Sequence, residues 1–232
     1  MSNFQKISVR IVSDIVWPWC WVGKRHLDQA LELTGLGPNV SLEWLPFFLN
    51  SSLPADGVNL KQYMAEKYGP SVLEKFGGPN SPLTQAASRC GINFNSDRKM
   101  YPTIKAHALL EWSRKTENGG SIDHMNALME VMFKRYFSSA ENINSDEVLL
   151  ASVAEVKGLN TEAARLLLQG TGDSSKKSKA SQPSLESLQQ HVIRQYGTVK
   201  SSFGVRLVVY LCFSYTPPLP WLRLTLLFLH YH

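Results

Sequence analysis

At 232 residues, 44% hydrophobic and 19% charged, the chain has room for one large domain or a smaller one with an insertion, and it can bury a sizeable core. Its net charge of +5 and pI near 9.1 come from basic residues scattered along the chain rather than striped on one element, which argues against nucleic-acid binding. Three widely spaced cysteines, Cys20, Cys90 and Cys212, make no disulfide framework, and no Cys/His spacing suggests zinc or another metal. No Gly-rich phosphate loop and no Ser-His-Asp arrangement occurs. The opening MSNFQKISVRIVSD turns to strand-like alternation too early to contain an apolar signal core, so a reducing, cytoplasmic setting is expected.

Ile7, Val9 and Ile11 alternate with Ser8 and Arg10, the pattern of a half-buried strand. The run SDIVWPWCWVG (13–23) follows directly. From Cys20 to about Thr34, Leu27, Ala30, Leu31 and Thr34 recur at helical spacing, and Gly35-Leu36-Gly37-Pro38 supplies a stop. Val40, Leu42 and Trp44 mark a second strand, which ends in Pro46-Phe47-Phe48-Leu49-Asn50. Strand, turn, helix and strand within fifty residues open a βαβ unit.

Residues 57–168 lose the strand signal and read as helices. Ala106, Leu109, Leu110 and Trp112 form one apolar face, and Met125, Leu128, Met129, Met132, Phe133, Tyr136 and Phe137 form a stronger one at i, i+3, i+4, i+7 spacing. Both predict packing faces. Val148, Leu149, Val153 and Val156 form a third, with Ser145 as its expected cap, Glu147 in its first turn and Gly158 closing it. His107 and His26 read as polar or satisfied helix residues, Asp14 as a strand-end turn residue or a modulator of a nearby ionisation, and Cys90, within Ser88-Arg89-Cys90-Gly91, as incidental.

Gly170 to Ser184, GTGDSSKKSKASQPS, is poor in apolar residues and reads as a flexible surface loop with solvated lysines. Leu185, Leu188, Val192 and Tyr196 predict a short amphipathic helix ended by Gly197. No acidic residue follows Glu186. The run 207–232 is apolar but broken by Pro217, Pro218, Pro220 and Arg223, so it offers no membrane span of about twenty residues; it could form two strands joined by a proline turn, or remain exposed and aggregation-prone.

Chemistry concentrates in SDIVWPWCWVG. With cysteine at position 17 the run would read as a dithiol motif; with Trp17 it holds one thiol. A cysteine in the first turn of a helix after a strand lies where backbone N–H groups and the helix dipole favour its thiolate. In a Cys-x-x-Cys pair the first thiol attacks a substrate disulfide and the second, more buried one resolves the mixed disulfide. Trp17 has no nucleophile, and Cys20 stands at the resolving position. The alternative is that Cys20 is a small buried hydrophobe.

Ser13-Asp14 with Pro18-Trp19-Cys20-Trp21-Val22-Gly23-Lys24-Arg25, then Leu45-Pro46-Phe47-Phe48-Leu49-Asn50, resembles the DsbA-like thioredoxin-fold oxidoreductases. The resemblance is to the FrnE-type branch, related to 2-hydroxychromene-2-carboxylate isomerases and kappa-class glutathione transferases. It extends to Ala106-His107 with Leu109-Leu110 and to Leu128–Asn144, covering roughly residues 7–168. It implies an α/β, thioredoxin-like fold with an inserted all-helical subdomain: residues 1–56 and 185–232 as the thioredoxin-like domain, 57–168 as the helical insertion and 169–184 as a flexible Ser/Lys-rich loop. The chain departs from the family at Trp17, where redox members carry cysteine and glutathione-transferase relatives serine. It departs again at Gly204-Val205-Arg206, where Arg206 replaces a cis-proline; the C-terminal part of the thioredoxin unit, from 207, is therefore expected to be atypical or incomplete.

Three functions follow from these residues. In the first, the chain is a thiol-disulfide oxidoreductase family protein with impaired dithiol exchange, in which Cys20 is catalytic and Trp17, Pro18 and Trp19 bind substrate. In the second, it is a glutathione-dependent transferase or isomerase that uses the helix N-terminus. In the third, it is a non-catalytic thioredoxin-fold binding protein whose Trp17, Trp19 and Trp21 contact a partner or only pack. Protein thiols or disulfides, or glutathione as a substrate, are the expected partners; no resident cofactor and no metal is expected.

Overall fold

The structure, a computed structural model, describes residues 7–71, 78–115, 120–170, 183–203 and 211–214, the last four by backbone alone. Alternation in ISVRIVS yields strand β1 (Ile7–Ser13), with Val9 and Ile11 buried. Helix α1 (Pro18–Thr34) follows. It starts two residues before the expected Cys20, because proline at the first helical position is already set to helical φ and needs no N–H partner. Gly35 ends it in the left-handed conformation (φ 65°), its N–H donating to the Glu32 carbonyl. After a 3-10 turn at Gly37–Asn39, strand β2 (Val40–Pro46) pairs parallel to β1, with Val9 opposite Leu42 and Ile11 opposite Trp44.

The next segment is mainly helical: α2 (Leu60–Tyr68), α3 (Pro82–Arg89), α4 (Ile104–Ser113), α5 (Ile122–Phe137), α6 (Asp146–Glu155) and α7 (Thr161–Leu168). Two short strands also occur here, β3 (Val58–Asn59) and β4 (Lys99–Met100), paired antiparallel. At two residues each they are too short to show an alternating pattern. Helix α8 (Leu185–Phe203) returns along α4 and β2. Finally β5 (Leu211–Ser214) pairs antiparallel with β1, giving the sheet order β2-β1-β5. This is a thioredoxin-like α/β arrangement with helices inserted between β2 and α8.

The Met and aromatic stripe of α5 is the centre of the core. Trp21 of α1 stacks on Phe133 and Phe137, at centroid distances of 6.3 and 5.7 Å, and Trp44 of β2 meets Phe133 edge-on at 6.1 Å. Each such aromatic pair adds about 0.5–1.5 kcal/mol beyond the area it buries. An ionic junction reinforces the same contact: the Trp21 Nε1–H donates to Glu130 Oε1 at 2.9 Å, and Glu130 pairs with Lys24 (3.0 Å) and Arg25 (2.7 Å).

Several local expectations change. Helix α4 is buried at every position from Ala106 to Ser113, not on one face alone, and both α8 and α5 pack against it. Ser145 takes the cap position of α6, but its side chain makes no capping bond; Asp146 and Glu147 supply the negative charge that suits a helix start. Helix α8 runs through Gly197 to Phe203. A glycine in a helix costs roughly 0.5–1 kcal/mol relative to alanine, and the apolar face continues beyond it to buried Val199. Cys90, read as incidental, is a core residue beside Ala87 and Ile92. The Ser/Lys-rich stretch 171–182, the Gly204-Val205-Arg206 string and the proline turn lie outside the described residues.

Candidate functional site

The end of β1 and the first turn of α1 form one corner. Trp17 is the residue before the helix (φ −96°, ψ 112°); its N–H donates to the Asp14 carbonyl at 3.1 Å, and its indole offers no acceptor to cap the turn. Pro18 and Trp19 begin α1, and the Cys20 N–H donates to the Trp17 carbonyl at 3.0 Å, so positions 17 and 20 close one turn. Trp17, Pro18 and Trp19 are half-buried, with both indoles packed on the core. Trp21 is fully inside, committed to the α5 contact.

Cys20 is 4% exposed. Burial pushes its thiol up to about 12; hydrogen bonds from the Ser13 hydroxyl and the Asp14 backbone oppose this, while the Asp14 carboxylate reinforces it. The thiolate expected from the first-turn position is therefore outweighed by desolvation. The proton stays on sulfur at neutral pH.

Asp14, 2% exposed, ties three segments together. Its Oδ2 accepts the Leu49 N–H at 2.7 Å, its Oδ1 accepts the Val16 N–H at a longer 3.4 Å, and His107 Nε2 stands 3.8 Å from Oδ1. One residue earlier, the Ser13 carbonyl accepts the Phe47 N–H at 2.9 Å. These bonds explain why the chain leaves β2 as Pro46-Phe47-Phe48-Leu49: the strand is fastened back to β1 at the site. Phe48 then meets His107 edge-on at 5.5 Å, and Tyr196 of α8 packs on Phe48 at 4.8 Å and on Phe47 at 5.5 Å.

The structure thus brings Trp17, Pro18, Trp19 and Cys20 together at one helix start and adds Asp14, His107 and Phe48. His107, read from sequence as a polar or satisfied helix residue, is buried, its Nε2 making no hydrogen bond but standing within ion-pair distance of Asp14. The available signal was a histidine inside the run Ala106–Leu110, where every neighbour is apolar. His26 is exposed. Cys212 lies in β5 opposite Arg10. Among the described residues, no group of three His, Cys, Asp or Glu side chains is arranged to hold a metal ion, and no helix is long and apolar enough to cross a membrane.

The family model of the DSBA-like thioredoxin domain matches residues 8–182, from β1 past α7. The chain belongs to this DSBA-like thioredoxin domain family. The uncharacterized Bacillus subtilis protein YwbO is 30% identical over 135 residues; the match takes in 53% of this chain and spans 65% of YwbO. A probable DsbA oxidoreductase from Streptomyces coelicolor is 23% identical, with 82% of this chain and 90% of that one covered and a TM-score of 0.60. A 2-hydroxychromene-2-carboxylate isomerase is 15% identical over 88% of this chain and 87% of its own, with a TM-score of 0.52. At these identities the solved structures share the fold. In this DSBA-like thioredoxin domain the first turn of α1 contains one sulfur, and Trp17 occupies the position one turn before it.

Proposed function

We propose that this DSBA-like thioredoxin domain is a thiol-disulfide oxidoreductase family protein whose dithiol exchange is impaired. Cys20 is its retained catalytic sulfur, and Trp17, Pro18 and Trp19 form the face met by a protein thiol, a disulfide or glutathione. One observation carries this reading: Trp17 stands before the helix where an attacking thiol is needed, and the remaining thiol, Cys20, is 4% exposed. Two-step exchange needs an accessible attacker and a resolving partner. The corner supplies the partner alone. A single thiol can still form a mixed disulfide, the new S–S bond replacing the one broken in the substrate, but it cannot resolve that bond internally. The FrnE-type branch and a reducing, cytoplasmic setting accord with Cys20 and Cys90 being free thiols. The proposed chemistry uses no resident cofactor.

The test is turnover of a protein disulfide by the purified chain with excess small-molecule dithiol, alongside calorimetric titration with glutathione. The expected result is no acceleration above the dithiol background. Turnover with Trp17 intact that disappears in Cys20→Ser would overturn the claim of impairment.

A further inference from the structure

Helix α8 meets α4 across a joint that the exchange chemistry does not use. Its centre is Glu111 of α4, a carboxylate 5% exposed and gripped by Arg114 three residues on: Arg114 Nε donates to Oε2 and Nη2 to Oε1, each at 2.7 Å. Arg114 Nη1 also lies 3.9 Å from Glu43 Oε1 on β2, so one guanidinium faces two carboxylates. From α8, His191 reaches the same carboxylate, with Nε2 3.6 Å from Glu111 Oε1. That gap is too long for a hydrogen bond, and Nε2 is buried with no other hydrogen-bond partner. One turn further along the same face of α8, Gln195 Oε1 is also buried without a partner. Polar atoms left this way are rare, because each carries the cost of lost hydration, and two of them together mark the joint as incompletely closed.

Charge counting gives the gap a meaning. Two carboxylates and one guanidinium leave one negative charge unbalanced, and an imidazolium at His191 balances it. The His191 ring is 42% exposed, so a proton can reach it from water although Nε2 is buried. Histidine is also the side chain whose charge changes between about pH 5 and 8. The neighbouring charged groups do not take its place. Arg10 stands opposite Glu43 in the β1–β2 register but is exposed, as are Glu186 and Arg194 on α8. Lys200 lies over the Tyr196 ring, and His107, one turn before Glu111 on α4, is directed to Asp14.

Helix α8 carries this joint to the site. Tyr196, five residues after His191, packs on Phe47 at 5.5 Å and Phe48 at 4.8 Å, and the Phe47 and Leu49 N–H groups are bonded to Ser13 and Asp14 at the end of β1. We propose that His191 and Glu111 form a pH-dependent latch: the imidazolium closes the 3.6 Å gap into a charge-assisted hydrogen bond and seats α8 against the Phe47–Phe48 wall of the site, and loss of the proton releases it. Charge-assisted N–H···O bonds run to about 2.7–2.9 Å, so closure is a movement of under about 1 Å. The latch does not involve Cys20 and stands whether or not that thiol reacts.

Hydrogen–deuterium exchange of the whole chain, resolved to peptides and corrected for the pH dependence of the intrinsic rate, reads the latch directly. Amides of residues 190–200 and 47–50 should be about threefold more protected at pH 6 than at pH 8, a modest factor because the ring is partly exposed, while residues 125–137 of α5 should not change. His191→Gln, on a partly exposed ring, should hold both segments at their pH 8 protection at either pH. Protection of 190–200 that does not vary with pH in the unaltered chain, that varies equally in His191→Gln, or that varies in parallel with α5 overturns the latch. A change at 190–200 without one at 47–50 overturns its link to the site.

Discussion

Replacing Asp14 tests the corner from its most connected residue. The carboxylate is 2% exposed and its Oδ2 accepts the Leu49 N–H at 2.7 Å, which fastens the segment after β2 to the end of β1. A hydrogen bond to a charged group contributes about 1.5–3 kcal/mol, and removing the acceptor leaves the amide without its partner. Against this, deleting the carboxylate removes a negative charge from the low-dielectric surroundings of Cys20. Asp14→Ala should therefore destabilise by about 2 kcal/mol net. Asp14→Asn keeps an oxygen where the amide needs it and should lie within about 1 kcal/mol of the unaltered chain. Urea denaturation followed by tryptophan fluorescence reads both, from the midpoint at unchanged slope. Equal losses for the two variants, or an Asp14→Ala loss under about 0.5 kcal/mol, would refute the fastening role.

Trp21→Ala removes the ring stacked on Phe133 and Phe137 and should cost about 3–5 kcal/mol in the same assay, with Trp21→Phe well below that, because the stack largely survives and Glu130 keeps Lys24 and Arg25. Gly158 has φ +98°, and a Cβ there would come within 2.7 Å of His124 Nε2; Gly158→Ala should lose about 1–3 kcal/mol, and adding His124→Ala should recover only part of it, because the backbone strain remains. Burial raises the Cys20 thiol from 9.0 to about 12, so the folded state holds that proton more tightly than the unfolded chain. Its contribution is fully present below about pH 9 and is lost as pH rises towards 12, by about 1.4 kcal/mol per unit. Cys20→Ala should therefore lose less stability between pH 9 and 11 than the unaltered chain, and parallel pH curves would contradict this.

The elements that carry their own pattern were legible in the sequence. Alternation at Ile7, Val9 and Ile11, the stop at Gly35 and the apolar stripe from Met125 to Phe137 correspond to β1, the end of α1 and the buried face of α5. What depends on tertiary partners was not legible. Gly197 looks like a stop because a local reading does not include the surface against which Val199 packs. The depth of Cys90, and of Cys20 beyond its first-turn position, depends on helices distant in the chain, and the Trp21–Glu130 bond joins residues 109 positions apart. His107 escaped for the same reason: its partner, Asp14, belongs to another segment, and an isolated histidine in an apolar helix gives no direction.

The corner around Cys20 accounts for the fold more fully than for an activity, and one substitution separates the two. The Cys20 N–H already closes a turn onto the Trp17 carbonyl at 3.0 Å, so positions 17 and 20 stand at the two ends of one turn, the spacing of a Cys-x-x-Cys pair. Trp17→Cys under mild oxidant, with the bond located by mass spectrometry of unreduced peptides, should therefore show a disulfide to Cys20 and some gain of disulfide exchange. A folded Trp17→Cys chain that leaves both thiols free would contradict the claim that this corner is a dithiol site lacking its first sulfur.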